Sequence, residues 1–187
     1  MNVGVDEAGR GSFLGRVYAG AVIWNPEIEN PLLKDSKKLS KQRRKEMSEF
    51  IKENAIAYGV SYATNDEIDR MNILNATHLA MHRALDEVGL LFDQIHVDGD
   101  RFTPYKDVPH MCIIKGDDTC VEISAASILA KVAHDEHIEE LVSERPDLEK
   151  FDLLKNMGYG TPKHIESLKK HGFTEFHRKT FIKKQVN

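Results

Sequence analysis

Cysteine is nearly absent from this chain. Cys112 and Cys120 are the only two in 187 residues, too few for a disulfide framework and not spaced as a close metal-binding pair. Long apolar runs are missing as well, so no membrane span is expected. The first ten residues carry Asp6, Glu7 and Arg10, a pattern that excludes a secretory signal. A reducing cytoplasm and no membrane partner are the expectation. Internal repeats and low-complexity linkers are also lacking, which leaves one ordinary domain, with room for a small appendage. Hydrophobic content of 41% and charged content of 30% describe a globular protein.

Net positive charge is lacking too, because 26 Lys and Arg stand against 30 Asp and Glu. The balance is uneven along the chain, however. Residues 34–45 hold seven basic side chains and one acidic, and residues 155–187 hold eight and two. Residues 46–154 hold nine basic and 23 acidic. Two basic segments flanking an acidic centre suit either the rim of a polyanion groove or ordinary solvated helix faces.

What is present begins with VGVDEAGRG, an apolar stub, two adjacent acids and a glycine-flanked arginine. Like charges this close repel, and a divalent cation between them removes the conflict. Gly9 and Gly11 leave bare backbone N–H groups that a phosphate or a ribose hydroxyl can approach. Hydrophobic patterning predicts strands at 3–6, 16–24 and 55–63, an antiparallel meander. It predicts a helix at 40–53 capped by Ser40, and another over 66–90. Strands at 94–99 and 110–117, a long helix at 122–142 and a basic helix at 162–171 follow. This order suits an α/β domain with a mixed sheet.

Asp6, Glu7, Asp98 and Asp117 each fall at the carboxyl end of a predicted strand, the edge where open α/β sheets gather their ligands. Taken singly, each could be a turn residue; together they suggest a hard-cation site for Mg²⁺ or Mn²⁺. Two ions about 3.5–4 Å apart would activate a water and stabilise the leaving oxygen of a phosphodiester. Side-chain alternation turns Asp6 and Glu7 to opposite faces unless the strand bends. By the same alternation Asp100 and Asp118 are set aside. Gly9-x-Gly11-x-x-x-Gly15 fails as a dinucleotide loop, because a strand rather than a helix follows it. The pairs His78/His82 and His134/His137 lack a third zinc ligand and read as surface or core histidines. Tyr159, between two glycines, could stack on a sugar or base or simply pack its loop.

In order and spacing, DEAGRG, DSKKLS, NILNAT, VDGD, KGD followed by ISAASILAK, GYGT and HRKTF resemble the bacterial ribonuclease HII family from about residue 3 to 181. The resemblance implies a ribonuclease H-like fold, a mixed five-stranded sheet flanked by helices. It implies a catalytic domain over 1–143 and a small C-terminal helical extension over 144–187. It implies endonucleolytic cleavage of RNA in RNA/DNA hybrids, and on the 5′ side of single ribonucleotides in duplex DNA, leaving 3′-hydroxyl and 5′-phosphate ends. Asp6, Glu7, Asp98 and Asp117 would hold two Mn²⁺ or Mg²⁺ ions. Gly9, Arg10 and Gly11 would meet the 2′-hydroxyl, the one feature that marks a ribonucleotide within DNA. Tyr159 would stack on the sugar of the following deoxynucleotide, and Lys37 and Lys38 would contact phosphates. A monomer is the default. The chain departs from the family where Ser12 and Arg16 replace common prolines and Asn156-Met157 replaces a His-Lys pair. On the same acids, a junction-resolving metal nuclease and a non-catalytic nucleic-acid-binding module are the rival readings.

Overall fold

The computed structural model describes residues 1–29 and 38–186. Five strands form one sheet in the order β3-β2-β1-β4-β5: β1 (Asn2–Ala8), β2 (Val17–Ile23), β3 (Ala57–Ala63), β4 (Gln94–Asp98) and β5 (His110–Ile113). The first three make the expected antiparallel meander, and β4 and β5 add in parallel beyond β1. Every residue of β2 is buried, as a strand covered on both faces requires.

Helix α3 (Ile73–Glu87) covers one face and α5 (Val121–Glu144) the other. Glycines set how closely these layers approach. A Cβ at Gly4 would lie 2.3 Å from the Glu122 backbone, and one at Gly20 would lie 2.3 Å from the Ala126 carbonyl oxygen. Helix α5 therefore rests almost backbone to backbone on β1 and β2. On the opposite face, Gly59 does the same for α3 at the Ala84 carbonyl.

Helix α1 (Lys41–Asn54) is capped by Ser40, whose hydroxyl accepts from the Arg43 N–H at 3.3 Å. Its basic side chains are engaged within the fold: Lys41 and Lys45 pair with Glu139, and Arg44 pairs with Asp135. This part of the basic rim is an internal clamp between α1 and α5. The single helix expected over 66–90 is two, α2 (Asn65–Met71) and α3, because Asn72 takes a left-handed φ of 74° and caps the second through its side chain. Helix α2 starts with a capping box of Thr64 and Glu67.

The strand expected over 110–117 stops at Ile113. Lys115 is left-handed (φ 57°), and Asp117 sits on the short helix α4 (Gly116–Thr119). After α5 come a 3-10 turn (Pro146–Phe151), α6 (Leu153–Asn156), α7 (Pro162–His171) and α8 (Lys179–Val186). Phe151, Leu153, Leu168 and Ile182 from this tail share an apolar cluster with Phe13, Leu14, Ile138 and Leu141. Burying each such side chain contributes about 1.5–3 kcal/mol.

Candidate active site

Asp6 and Glu7 lie inside β1 rather than after it, and the pleat parts them as alternation requires. Asp6 shares the α5 side with Gly4 and is 5% exposed. Glu7 lines a cleft of about 270 Å³ on the α3 side, with Arg10, Leu74, Thr77, His78, Met81, Asp98, Gly99, Asp100 and Arg101. Asp98, the last residue of β4, is the neighbour whose charge acts on both. Asp117 joins through its backbone: its N–H donates to Asp98 Oδ1 at 3.3 Å. Asp6, Glu7 and Asp98 are thus close enough to act on one another's charge, and the backbone of Asp117 on α4 touches Asp98. Asp100, set aside on alternation, lines the cleft because the strand has ended and Gly99 (φ 103°) turns the chain.

Electrostatics makes this edge costly as it stands. Burial first, and then the Glu7 charge, push the Asp6 carboxyl well above the usual range. Hydrogen bonds from Ser127 and from the Glu7 N–H, at 2.7 Å, oppose that shift. Burial also raises Glu7; Arg10, with Nη1 3.7 Å from its carboxylate, pulls the other way and Asp98 adds to the rise. Behind Asp6, Lys131 Nζ donates to Ser127 Oγ at 2.6 Å, so a cation reaches Asp6 through one hydroxyl. Ser127 and Lys131 lie within ISAASILAK, and their i, i+4 spacing on the face of α5 that meets β1 is the sequence signal for their pairing.

The donor set is all carboxylate oxygen, which suits a hard dication. Among the described residues, no three His, Cys, Asp or Glu side chains form a ready-made cage for a metal ion. Thr77 Oγ1, buried in the cleft wall, has no hydrogen-bond partner among the described residues.

The glycine turn is held from behind. Ser12 N–H closes it onto the Gly9 carbonyl at 3.2 Å, a bond that a proline at this position could not make. Ser12 and Tyr159 form a bridge, and the Phe13 N–H donates to the Gly158 carbonyl at 2.8 Å. Tyr159 is 41% exposed beside Gly11, where an added Cβ would stand 3.6 Å from its ring. Asn156 shapes this loop, donating to the Phe151 carbonyl at 2.7 Å and accepting from the Gly158 N–H at 2.8 Å. Its amide thus serves loop geometry.

Arg178 lies in the HRKTF motif, where no local pattern marks it out. It is fully buried, and Nε, Nη1 and Nη2 donate to the carbonyls of Gly15, Arg10 and Arg16, each at 3.0 Å. Beside it, His177 Nε2 lies 3.2 Å from His164 Nε2, and His164 Nδ1 lies 3.0 Å from the Tyr159 carbonyl. Only one tautomer of each satisfies these contacts. His164 donates to Tyr159 and accepts from His177, whose Nδ1 accepts from Thr174. Burial lowers the pKa of both, His177 to about 3, so the pair is neutral.

The pairs His78/His82 and His134/His137 are engaged within the fold. His78 Nδ1 lies 2.8 Å from Thr103 Oγ1 and His82 Nε2 lies 2.9 Å from the Thr103 carbonyl. His134 packs beneath Gly9, and His137 packs on Tyr18 with the two rings tilted by 52°. Lys37 lies outside the described residues. Lys38 is exposed just before α1.

The profile of the family described as Ribonuclease HII matches residues 3–184. A Ribonuclease HII from Christiangramia forsetii is 49% identical over 178 residues, covering 95% of this chain and 88% of that protein. Among solved structures, the PCNA:RNase HII complex from Archaeoglobus fulgidus gives a TM-score of 0.78 at 25% identity, covering 100% of this chain and 95% of that one. Bst-RNase HIII in complex with Mn²⁺ gives 0.69 at 20% identity, covering 99% and 62%, a likeness of fold.

Proposed function

The chain belongs to the ribonuclease HII family and is a ribonuclease H, and from that premise we propose that it incises duplex DNA on the 5′ side of an embedded ribonucleotide, as well as the RNA strand of RNA/DNA hybrids. The observation that carries this reading is the crowding of Asp6, Glu7 and Asp98, with the pKa of both Asp6 and Glu7 raised, at one sheet edge. Such crowding is relieved by cations.

Asp6, Glu7, Asp98 and Asp117 would hold Mn²⁺ or Mg²⁺, two ions in the working complex. When bound, the ions supply water activation and charge stabilisation at the leaving oxygen. With no ready-made cage among the described residues, part of their coordination would come from the substrate phosphate, as suits Mg²⁺ sites. Ser127, itself bonded by Lys131, donates to Asp6 and favours its ionised form. Gly9, Arg10 and Gly11 are proposed to read the 2′-hydroxyl, and Tyr159 to stack on the next sugar. Lys37 and Lys38 are proposed as phosphate contacts. The product ends are 3′-hydroxyl and 5′-phosphate.

We further propose 144–187 as an extension packed on the catalytic domain 1–143, supported by the apolar cluster that mixes both. Among the described residues no helix is long and apolar enough to cross a membrane; a cytoplasmic monomer is the proposal. The test is Asp6→Asn. Loss of cleavage with the folded spectrum retained supports the site, and full retained activity sinks it.

A further inference from the structure

The turn over Gly9–Ser12 is closed by the Ser12 N–H on the Gly9 carbonyl at 3.2 Å, and neither central residue, Arg10 nor Gly11, has a positive φ. That is the pattern of a type I turn. Its close relative, type II, differs by a flip of the central peptide and needs φ > 0 at the third position. Here the third position is Gly11, which reaches that region without steric cost. The turn therefore has two accessible states, and the buried fork of Arg178 touches the atom that distinguishes them: Nη1 donates to the Arg10 carbonyl at 3.0 Å.

We infer that Arg178 is a positioning residue that holds the Arg10–Gly11 peptide in the type I orientation and thereby sets ribonucleotide selectivity. The peptide is planar and trans, so its C=O and N–H point in opposite directions. With the carbonyl drawn inward to Arg178, the Gly11 N–H points away from the guanidinium; the same glycine stands beside Tyr159, whose ring an added Gly11 Cβ would meet at 3.6 Å. Flipped, the turn would present a carbonyl there instead. The remaining donors, Nε to Gly15 and Nη2 to Arg16, fix the guanidinium at the far end of the same loop. A lysine could supply the charge but not the three-point fork. This inference rests on the reading of Gly9–Gly11 as the 2′-hydroxyl contact.

The test uses the full chain, isotope-labelled, with Arg178→Lys, Gly11→Ala and the double variant. NMR couplings report φ at residue 11. Cleavage of a duplex with one ribonucleotide against its all-deoxy counterpart reports selectivity. Arg178→Lys is expected to populate positive φ at Gly11 and to lower the selectivity ratio roughly tenfold, about one net hydrogen bond. Gly11→Ala, whose Cβ has ordinary contacts and disfavours positive φ, is expected to restore negative φ in the double variant. A merely structural role would lower stability and leave both φ and the ratio unmoved; that result overturns the inference. Should Arg178→Lys fail to fold, Arg178→Gln, which keeps one donor without the fork, takes its place under the same two readouts: a shift in both φ and the ratio supports the inference, and neither moving overturns it. If the parent chain cuts the all-deoxy duplex equally, the functional reading fails, and the φ measurement still judges the clamp.

Discussion

Replacing Gly20 by alanine tests how the sheet and α5 build the acid cluster. The new Cβ would stand 2.3 Å from the Ala126 carbonyl oxygen, roughly 1 Å inside an ordinary contact. The obstruction is backbone, so no rotamer change relieves it, and α5 must lift. Overpacking of this kind costs about 1–3 kcal/mol, which for a chain of this size lowers Tm by roughly 2–12 °C. Ser127 is one residue from the point of contact and bonds to Asp6, which in turn sits on β1 with Gly20 as its cross-strand partner. A shift near 1 Å there is expected to slow cleavage about 10²-fold. Gly59→Ala is the matched control, because its Cβ would lie 2.1 Å from the Ala84 carbonyl at the end of α3 away from the acids. It should lower Tm comparably while cleavage per folded molecule stays within about twofold. Thermal melts and single-turnover cleavage of a hybrid duplex, both at saturating Mg²⁺, read the two effects. Equal activity in the two variants would refute the claim that the close approach of α5 positions Asp6.

Asp6→Asn is expected to raise Tm at neutral pH when divalent ions are chelated, since a carboxyl whose folded pKa is raised loses stability as pH climbs from its usual value of 3.8 through the folded pKa, and that loss persists above it; a lowered Tm would contradict the raised pKa. Mg²⁺ or Mn²⁺ should raise the Tm of the parent chain, by about 2.7 kcal/mol of stabilisation at 100-fold over Kd, and do so less in Asp6→Asn, as differential scanning fluorimetry would show. Glu67, held at a pKa of about 2 chiefly by its hydrogen bonds from Arg83, contributes stability that is full above its usual value near 4.5 and is lost as pH falls towards 2. Acid titration of Glu67→Gln should lack that component. Tyr159→Ala should weaken cleavage at a lone ribonucleotide more than within a long hybrid, consistent with about 1–3 kcal/mol of stacking; equal losses on both substrates would remove its proposed role.

The features legible in the sequence were those written in local pattern. The meander, the Ser40 cap and the long helix after KGD follow from periodicity and end signals, and the acids stand out because like charges rarely cluster without purpose. What escaped was set by single backbone angles or by distant partners. Asn72 and Lys115 break helix and strand through left-handed φ values that their side chains do not announce, and Lys115 is the reason Asp117 sits on α4. Arg178 reaches Arg10 across 168 positions, and no periodicity reports such a contact. The basic residues of 34–45 suit either a groove rim or solvated helix faces by sequence; the ion pairs of Lys41, Arg44 and Lys45 with Asp135 and Glu139 on α5 depend on distant partners that no local pattern reports.

The central claim is selective incision at a ribonucleotide, and one gel measures it: an end-labelled duplex with a single ribonucleotide beside its all-DNA counterpart, each with Mg²⁺ and with Mn²⁺. The account predicts one product, cut on the 5′ side of the ribonucleotide with a 3′-hydroxyl end, and an intact all-DNA strand. Equal cutting of both duplexes, or no product with either ion, would contradict it.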